Sequence, residues 1–136
     1  MIRIRNSVKR AIKPERSSGY SMTDTSQAQI IDQGTTLVVK CPDEFDSVAV
    51  SGIRSDLTMA VGVADKDLVF DFSGTEFIDS SGIGLCVFCF KKLSAKGRDV
   101  GIAGLQGQPK SVIELSQIDK TVPLFASVDD FLSRNG

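Results

Sequence analysis

Asp79-Ser80-Ser81-Gly82 sets two hydroxyls directly behind a carboxylate, and these are the residues of the chain best placed to do chemistry. A serine hydroxyl can cap a helix by accepting a backbone N–H bond, which is worth about 1 kcal/mol. It can also accept a phosphoryl group, which adds about 1.5 to 2 negative charges and three strong acceptor oxygens. Both uses favour the entrance of a helix, where the first-turn N–H groups lack partners and the helix dipole is positive. The flanking residues supply such an entrance. Leu68, Val69, Phe70 and Phe72 form a short apolar run that reads as a buried strand. Ile83, Cys86, Val87, Phe90 and Leu93 follow at the spacing of one helical face. Ser80 and Ser81 therefore stand where a strand exit becomes a helix start, and Gly82 and Gly84 let a large partner approach the backbone closely.

What the chain lacks narrows its chemistry. Its 136 residues contain no histidine. That excludes Ser-His-Asp and Cys-His catalysis, phosphotransfer through histidine and every histidine-containing metal site. The three cysteines, Cys41, Cys86 and Cys89, are an odd number, and no secretory signal accompanies them, so a reducing cytoplasm is expected. Cys86 and Cys89 share a C-x-x-C spacing but lie a turn or more inside the predicted helix, where packing is the expected role. No metal site and no cofactor are expected. The phosphate-binding pattern G-x-x-x-x-G-K-[ST] is absent, so a nucleotide-hydrolysing enzyme is disfavoured.

Charge and composition set the organisation. A chain of this length, 41% hydrophobic and 24% charged, fits one globular domain. Residues 1–24 carry Arg3, Arg5, Lys9, Arg10, Lys13 and Arg16 against Glu15 and Asp24, which leaves ten basic and fifteen acidic residues for the remainder. The extension is expected to be disordered and dispensable for folding and partner binding, with Met22 as an alternative start. Residues 25–136 form the domain. A net charge of -1 gives no reason to expect nucleic acid as a partner, and no apolar run is long enough to insert in a membrane.

Elements follow in order. Ala28, Ile30 and Ile31 predict a first strand, and Thr35 to Val39 a second, joined at Gln33-Gly34. Val48, Ala49, Ile53, Leu57, Ala60 and Val61 predict a helix within 45–63, capped by Asp46 or Ser47. The strand at 68–72 leads to a helix running to about Lys96 and closed by Gly97. Val100, Ile102 and Ala103 form a strand. Pro109 suits a first helical position before Val112, Ile113 and Leu115. Val122 to Phe125 reads as an edge strand because Pro123 cannot donate a ladder bond. Ser127 caps a terminal helix over Val128, Phe131 and Leu132. The fold class is therefore α/β, with a mixed sheet of four to five strands and about four helices. Cys86 to Phe90 is apolar on every side of its helix, so Leu85 and Phe88 are either covered by a neighbouring helix or part of an exposed patch.

From about Ile30 to Leu132 the chain resembles the sulfate transporter and anti-sigma factor antagonist (STAS) domain, specifically its bacterial anti-sigma factor antagonists. The resemblance rests on Phe77-Ile78-Asp79-Ser80-Ser81-Gly82-Ile83-Gly84, with Leu68 to Phe72 upstream, Glu44-Phe45-Asp46 after the second strand, and Pro109, Val112, Leu115 and Phe125 later. Asp43 and Gln117 stand where the family often has glycine. The resemblance implies a non-enzymatic partner-switching protein, a monomer or weak dimer. Unphosphorylated, it would bind an anti-sigma factor that is also a GHKL-type serine kinase. Phosphorylated on Ser80, it would be released, and a PP2C-type phosphatase would reverse the modification. The partner surface implied comprises Asp46, Asp79, Ser80, Ser81, Gly82, Ile83 and Gly84. A second possibility within the family is an accessory subunit of an ABC-type lipid transport system, where the serine need not be modified.

Overall fold

The computed structural model describes residues 27–134, so the basic extension at 1–24 and the alternative start at Met22 lie outside the described residues. A hairpin opens the domain. Strand β1 (Gln29–Asp32) pairs antiparallel with β2 (Thr36–Lys40), placing Gln29 opposite Lys40 and Asp32 opposite Leu37. Gly34 permits the turn with φ +86°, and its N–H donates to Asp32 Oδ1 at 2.9 Å.

Three crossovers build the rest of the sheet. Helix α1 (Ser47–Val63) leads to β4 (Asp67–Asp71), α2 (Ser80–Ser94) to β6 (Val100–Ala103), and α3 (Gly107–Leu115) to β7 (Leu124–Phe125). The five strands lie in the order β1-β2-β4-β6-β7, and every pair after the first is parallel. Parallel neighbours cannot be joined by a tight turn, which is why the helices intervene. This is the mixed sheet with four helices that the alternation of patterns implies. Two residues, Glu44–Phe45 (β3), pair in parallel with Phe77–Ile78 (β5) to form a separate ribbon beyond the ends of β2 and β4.

Period-2 alternation divides the core. Leu37, Val39, Leu68, Phe70, Val100 and Ile102 face the layer that contains Ile53 and Leu57 of α1, Leu85 and Cys86 of α2, and Ile113 of α3. Val38, Val69 and Ala103 face the other side, where the short α4 (Val128–Leu132) contributes Phe131. Gly101 belongs to that side. A Cβ there would come within 2.7 Å of the Phe131 ring and 2.8 Å of the Phe125 ring, which meet edge to face at 5.1 Å.

Several boundaries differ from the sequence expectation. Val48 is 78% exposed, and the buried stripe of α1 is Ala49, Val50, Ile53, Leu57 and Val61. The cap fixes this phase, because Asp46 begins the helix and turns Val48 outward. Pro109 is the third residue of α3, still within the first turn, where a missing N–H costs no helical bond. Pro123 precedes the edge strand β7 and contributes only its carbonyl, which accepts from Ile102 N–H at 3.0 Å. Leu85 is fully buried and Phe88 is half-buried against the core, so α1 and the sheet cover this part of α2.

Candidate functional site

Two aspartates organise the site. Asp79 has extended backbone and is the N-cap of α2; its Oδ1 accepts from Ser81 N–H at 2.9 Å and from Gly82 N–H at 3.2 Å. Asp46 does the same for α1, with Oδ1 at 3.1 Å from both Val48 N and Ala49 N. The cap role thus falls to the aspartates, which leaves the serines as first and second helical residues. The ribbon holds the two caps side by side, and Asp79 Oδ2 accepts from Ser47 N–H at 3.2 Å. One carboxylate consequently stabilises the positive ends of both helices.

The C-terminal ends of the same helix pair are joined by the opposite charge. Lys96 Nζ donates to the carbonyls of Val61, Gly62 and Ala64 at 2.7, 3.3 and 3.2 Å, capping α1 from the end of α2. Gly97, at φ +77°, lets the chain reverse so that Arg98 N–H reaches Leu93 O at 2.9 Å. Parallel helix dipoles repel side by side, and an anion at one end with a cation at the other offsets that repulsion.

Ser80 is exposed as the first residue of α2, and among the described residues nothing bonds its hydroxyl. Ser81 is half-buried. Gly84 is exposed, with nothing within 4 Å of where a Cβ would be, and lies one turn beyond Ser80 on the same face. Ile83 is half-buried against the core. Gly82 points inward: a Cβ there would lie 2.7 Å from both the Phe45 ring and the Phe45 carbonyl oxygen, and 2.8 Å from Ile78 Cγ1. The close approach that Gly82 allows is therefore made by the ribbon, whereas Gly84 alone of the two leaves its backbone open.

Sequence reasoning missed two contributors. Val48, exposed beside the Ser47 amide that reaches Asp79, adds an apolar side chain to this surface. Gln108, from α3, bonds both backbone groups of Ile78: its Oε1 accepts from the N–H at 2.9 Å and its Nε2 donates to the carbonyl at 3.0 Å. The exposed Val48 carried a signal in its place beside the Asp46 cap; Gln108 carried none.

The cysteines take no part. Burial, reinforced by the neighbouring Cys86 and Asp71, pushes the Cys41 thiol well above its ordinary range; burial and then Cys89 do so for Cys86. Burial pushes Cys89 up to about 12. All three stay protonated near neutrality and pack as small apolar groups. Among the described residues no three Cys, Asp or Glu side chains converge on a metal-sized site.

Residues 27–131 match the sequence profile of the STAS domain. The chain belongs to the STAS domain family. Its fold is shared with solved STAS relatives. The anti-sigma factor antagonist SpoIIAA in its unphosphorylated form superposes with a TM-score of 0.71 at 22% identity, over 79% of this chain and 94% of that one. The Bacillus cell fate determinant SpoIIAA in the phosphorylated form gives 0.64 at 23%, over 79% and 97%. An anti-sigma factor antagonist from Mycobacterium paratuberculosis gives 0.70 at 26%, over 79% and 91%. Among the described residues of this STAS protein no helix is long and apolar enough to cross a membrane.

Proposed function

We propose that this STAS protein is an anti-sigma factor antagonist that works in the cytoplasm by partner switching. Unmodified, it binds an anti-sigma factor that is also a GHKL-type serine kinase. The kinase transfers the γ-phosphoryl group of ATP to Ser80 Oγ, with ADP leaving, and the complex separates. A PP2C-type phosphatase hydrolyses the phosphoserine and restores binding. The chain is substrate and ligand in this cycle and performs no catalysis itself.

The observation that carries the reading is the placement of Ser80: an exposed hydroxyl at the first position of α2, already released from capping by Asp79. A phosphate there lies against a helix N-terminus, so the fold tolerates it. The surface seen by a partner changes more. Ser80 and Gly84 form its open face, Val48, Ser81 and Ile83 border it, and Asp46, Asp79 and Gly82 hold it in shape. The existence of SpoIIAA in unphosphorylated and phosphorylated forms supports the same cycle here.

Incubation with the partner kinase and ATP should add one phosphate, on Ser80 and not on Ser81, as read by site-localising mass spectrometry. Ser80→Asp should fold normally and bind the kinase at least tenfold more weakly, about 1.4 kcal/mol, since aspartate carries roughly half the charge of phosphoserine. Ser80→Ala should bind constitutively. Equal affinities by titration calorimetry for both variants and the wild type would remove the switch and favour an accessory role in an ABC-type lipid transport system.

A further inference from the structure

Strand β5 has two edges, and only one is covered by a strand. On the inner edge Phe77 N–H donates to Asp43 O at 3.1 Å and Asp79 N–H to Phe45 O at 3.5 Å. The N–H and carbonyl of Ile78 face the other way, as alternate residues of a strand must. Among the described residues no strand pairs with that outer edge. Gln108 takes its place. A primary amide offers the same donor and acceptor as a peptide group, and this one makes both bonds, at 2.9 and 3.0 Å. Gln106, the N-cap residue just ahead of α3, donates from Nε2 to Ser73 O at 3.3 Å. The start of α3 thus grips the segment between β4 and α2 at both of its ends, on the edge that the ribbon bonds to Asp43 and Phe45 leave open.

We propose that Gln108 is a positioning residue for Ser80: by completing the outer edge of β5 it fixes Ile78, hence the Asp79 cap, hence the place and exposure of the Ser80 hydroxyl. Its action is indirect, through two intervening residues, and it makes α3 part of the switch. This deepens the proposed function and rests on Ser80 being the switch residue. The structural half of the claim is separable, because it can be measured on the unmodified protein with no kinase present.

The test is amide hydrogen exchange by NMR on the full chain, comparing wild type with Gln108→Met, Gln108→Glu and the exposed control Lys110→Ala. Methionine keeps the length of the side chain and removes both bonds. In Gln108→Met the Ile78 amide should exchange at least tenfold faster, and the Ser81 and Gly82 amides that donate to Asp79 at least threefold faster. Val69 and Phe70, at the sheet centre, should be unchanged. Gln108→Glu keeps an acceptor for Ile78 N–H and loses the donor for its carbonyl, so its Ile78 amide should accelerate less than in Gln108→Met. Lys110→Ala should match wild type. Acceleration confined to Ile78, with Ser81 and Gly82 unaltered, would overturn the positioning role, and so would equal acceleration of all amides including the central strand. A chain that shows the expected exchange pattern yet takes no phosphate on Ser80 would leave Gln108 as the clamp of the segment and remove the switch reading instead.

Discussion

Single residues in this domain act mainly through what they exclude or complete. Gly82 is the sharpest case. Replacing glycine by alanine inside a helix ordinarily stabilises by about 0.5 to 1 kcal/mol. Here the added methyl meets the Phe45 carbonyl oxygen and ring at 2.7 Å, and backbone cannot move aside cheaply. Overpacking of this kind costs about 1 to 3 kcal/mol, so Gly82→Ala should be net destabilising by about 1 to 2 kcal/mol in urea unfolding. A neutral or stabilised variant would show that the ribbon yields at this point. Asp79 and Ser80 were legible in the sequence, because a polar cap between a strand pattern and a helix pattern has a local signature. The side on which Gly82 is approached was not, since that depends on Phe45, far away in the chain. Gln108 was equally invisible: an exposed glutamine near a helix start is ordinary, and its partner is a backbone with no side-chain identity to read.

At the level of elements, alternation and helical periodicity placed β2, β4, β6 and the crossover helices, while Pro123 marked the edge strand β7. The ribbon β3–β5 escaped because two residues carry no period. The exit of α3 shows how local strain reports on an element boundary. Gln117 follows Ser116, the C-cap of α3, and takes the left-handed conformation at φ +62°, the only described residue other than glycine to do so. The position demands it, because Gln117 caps the short 3₁₀ turn Ile118–Lys120 that carries the chain to Val122. A non-glycine residue pays about 1 to 2 kcal/mol there, partly offset in a glycine variant by the greater entropy of its unfolded chain. Gln117→Gly should therefore raise the urea midpoint by about 0.5 to 1 kcal/mol of stability at unchanged slope. A lowered midpoint would mean that the glutamine side chain contributes contacts that outweigh its backbone strain.

The whole molecule is polarised along its strands. The helix entrances, the ribbon and Ser80 occupy one pole. At the other, Arg134 Nη2 lies 2.7 Å from Asp67 Oδ2 and 2.9 Å from Asp99 Oδ2, and Arg98 Nε lies 3.2 Å from Asp67 Oδ1. Burial works to raise the Asp67 pKa, but the Asp99 amide, Arg134 and Arg98 outweigh it and hold the carboxyl below the ordinary aspartate range. A lowered folded-state pKa means that this stabilisation is present in full above the unfolded value of about 3.9 and disappears as pH falls through the folded one. Asp67→Asn should lower stability near neutrality and flatten the acid limb of the stability curve below about pH 4. Parallel acid limbs for variant and wild type, followed by circular dichroism, would show that the cluster contributes nothing. This cluster was not legible in advance, because it joins residues from three separate stretches whose charges taken singly look like ordinary solvated surface.

The hairpin register has a practical corollary for anyone handling the protein. Gln29 lies opposite Lys40, the end of β2 from which the chain proceeds to the ribbon, whereas Arg134 is moored to the start of β4. A fluorophore, affinity handle or fused domain joined ahead of Gln29 is delivered to the Ser80 pole, where it crowds the surface on which the proposed partner would dock. The same cargo joined after Arg134 emerges at the far pole and leaves the surface around Ser80 clear.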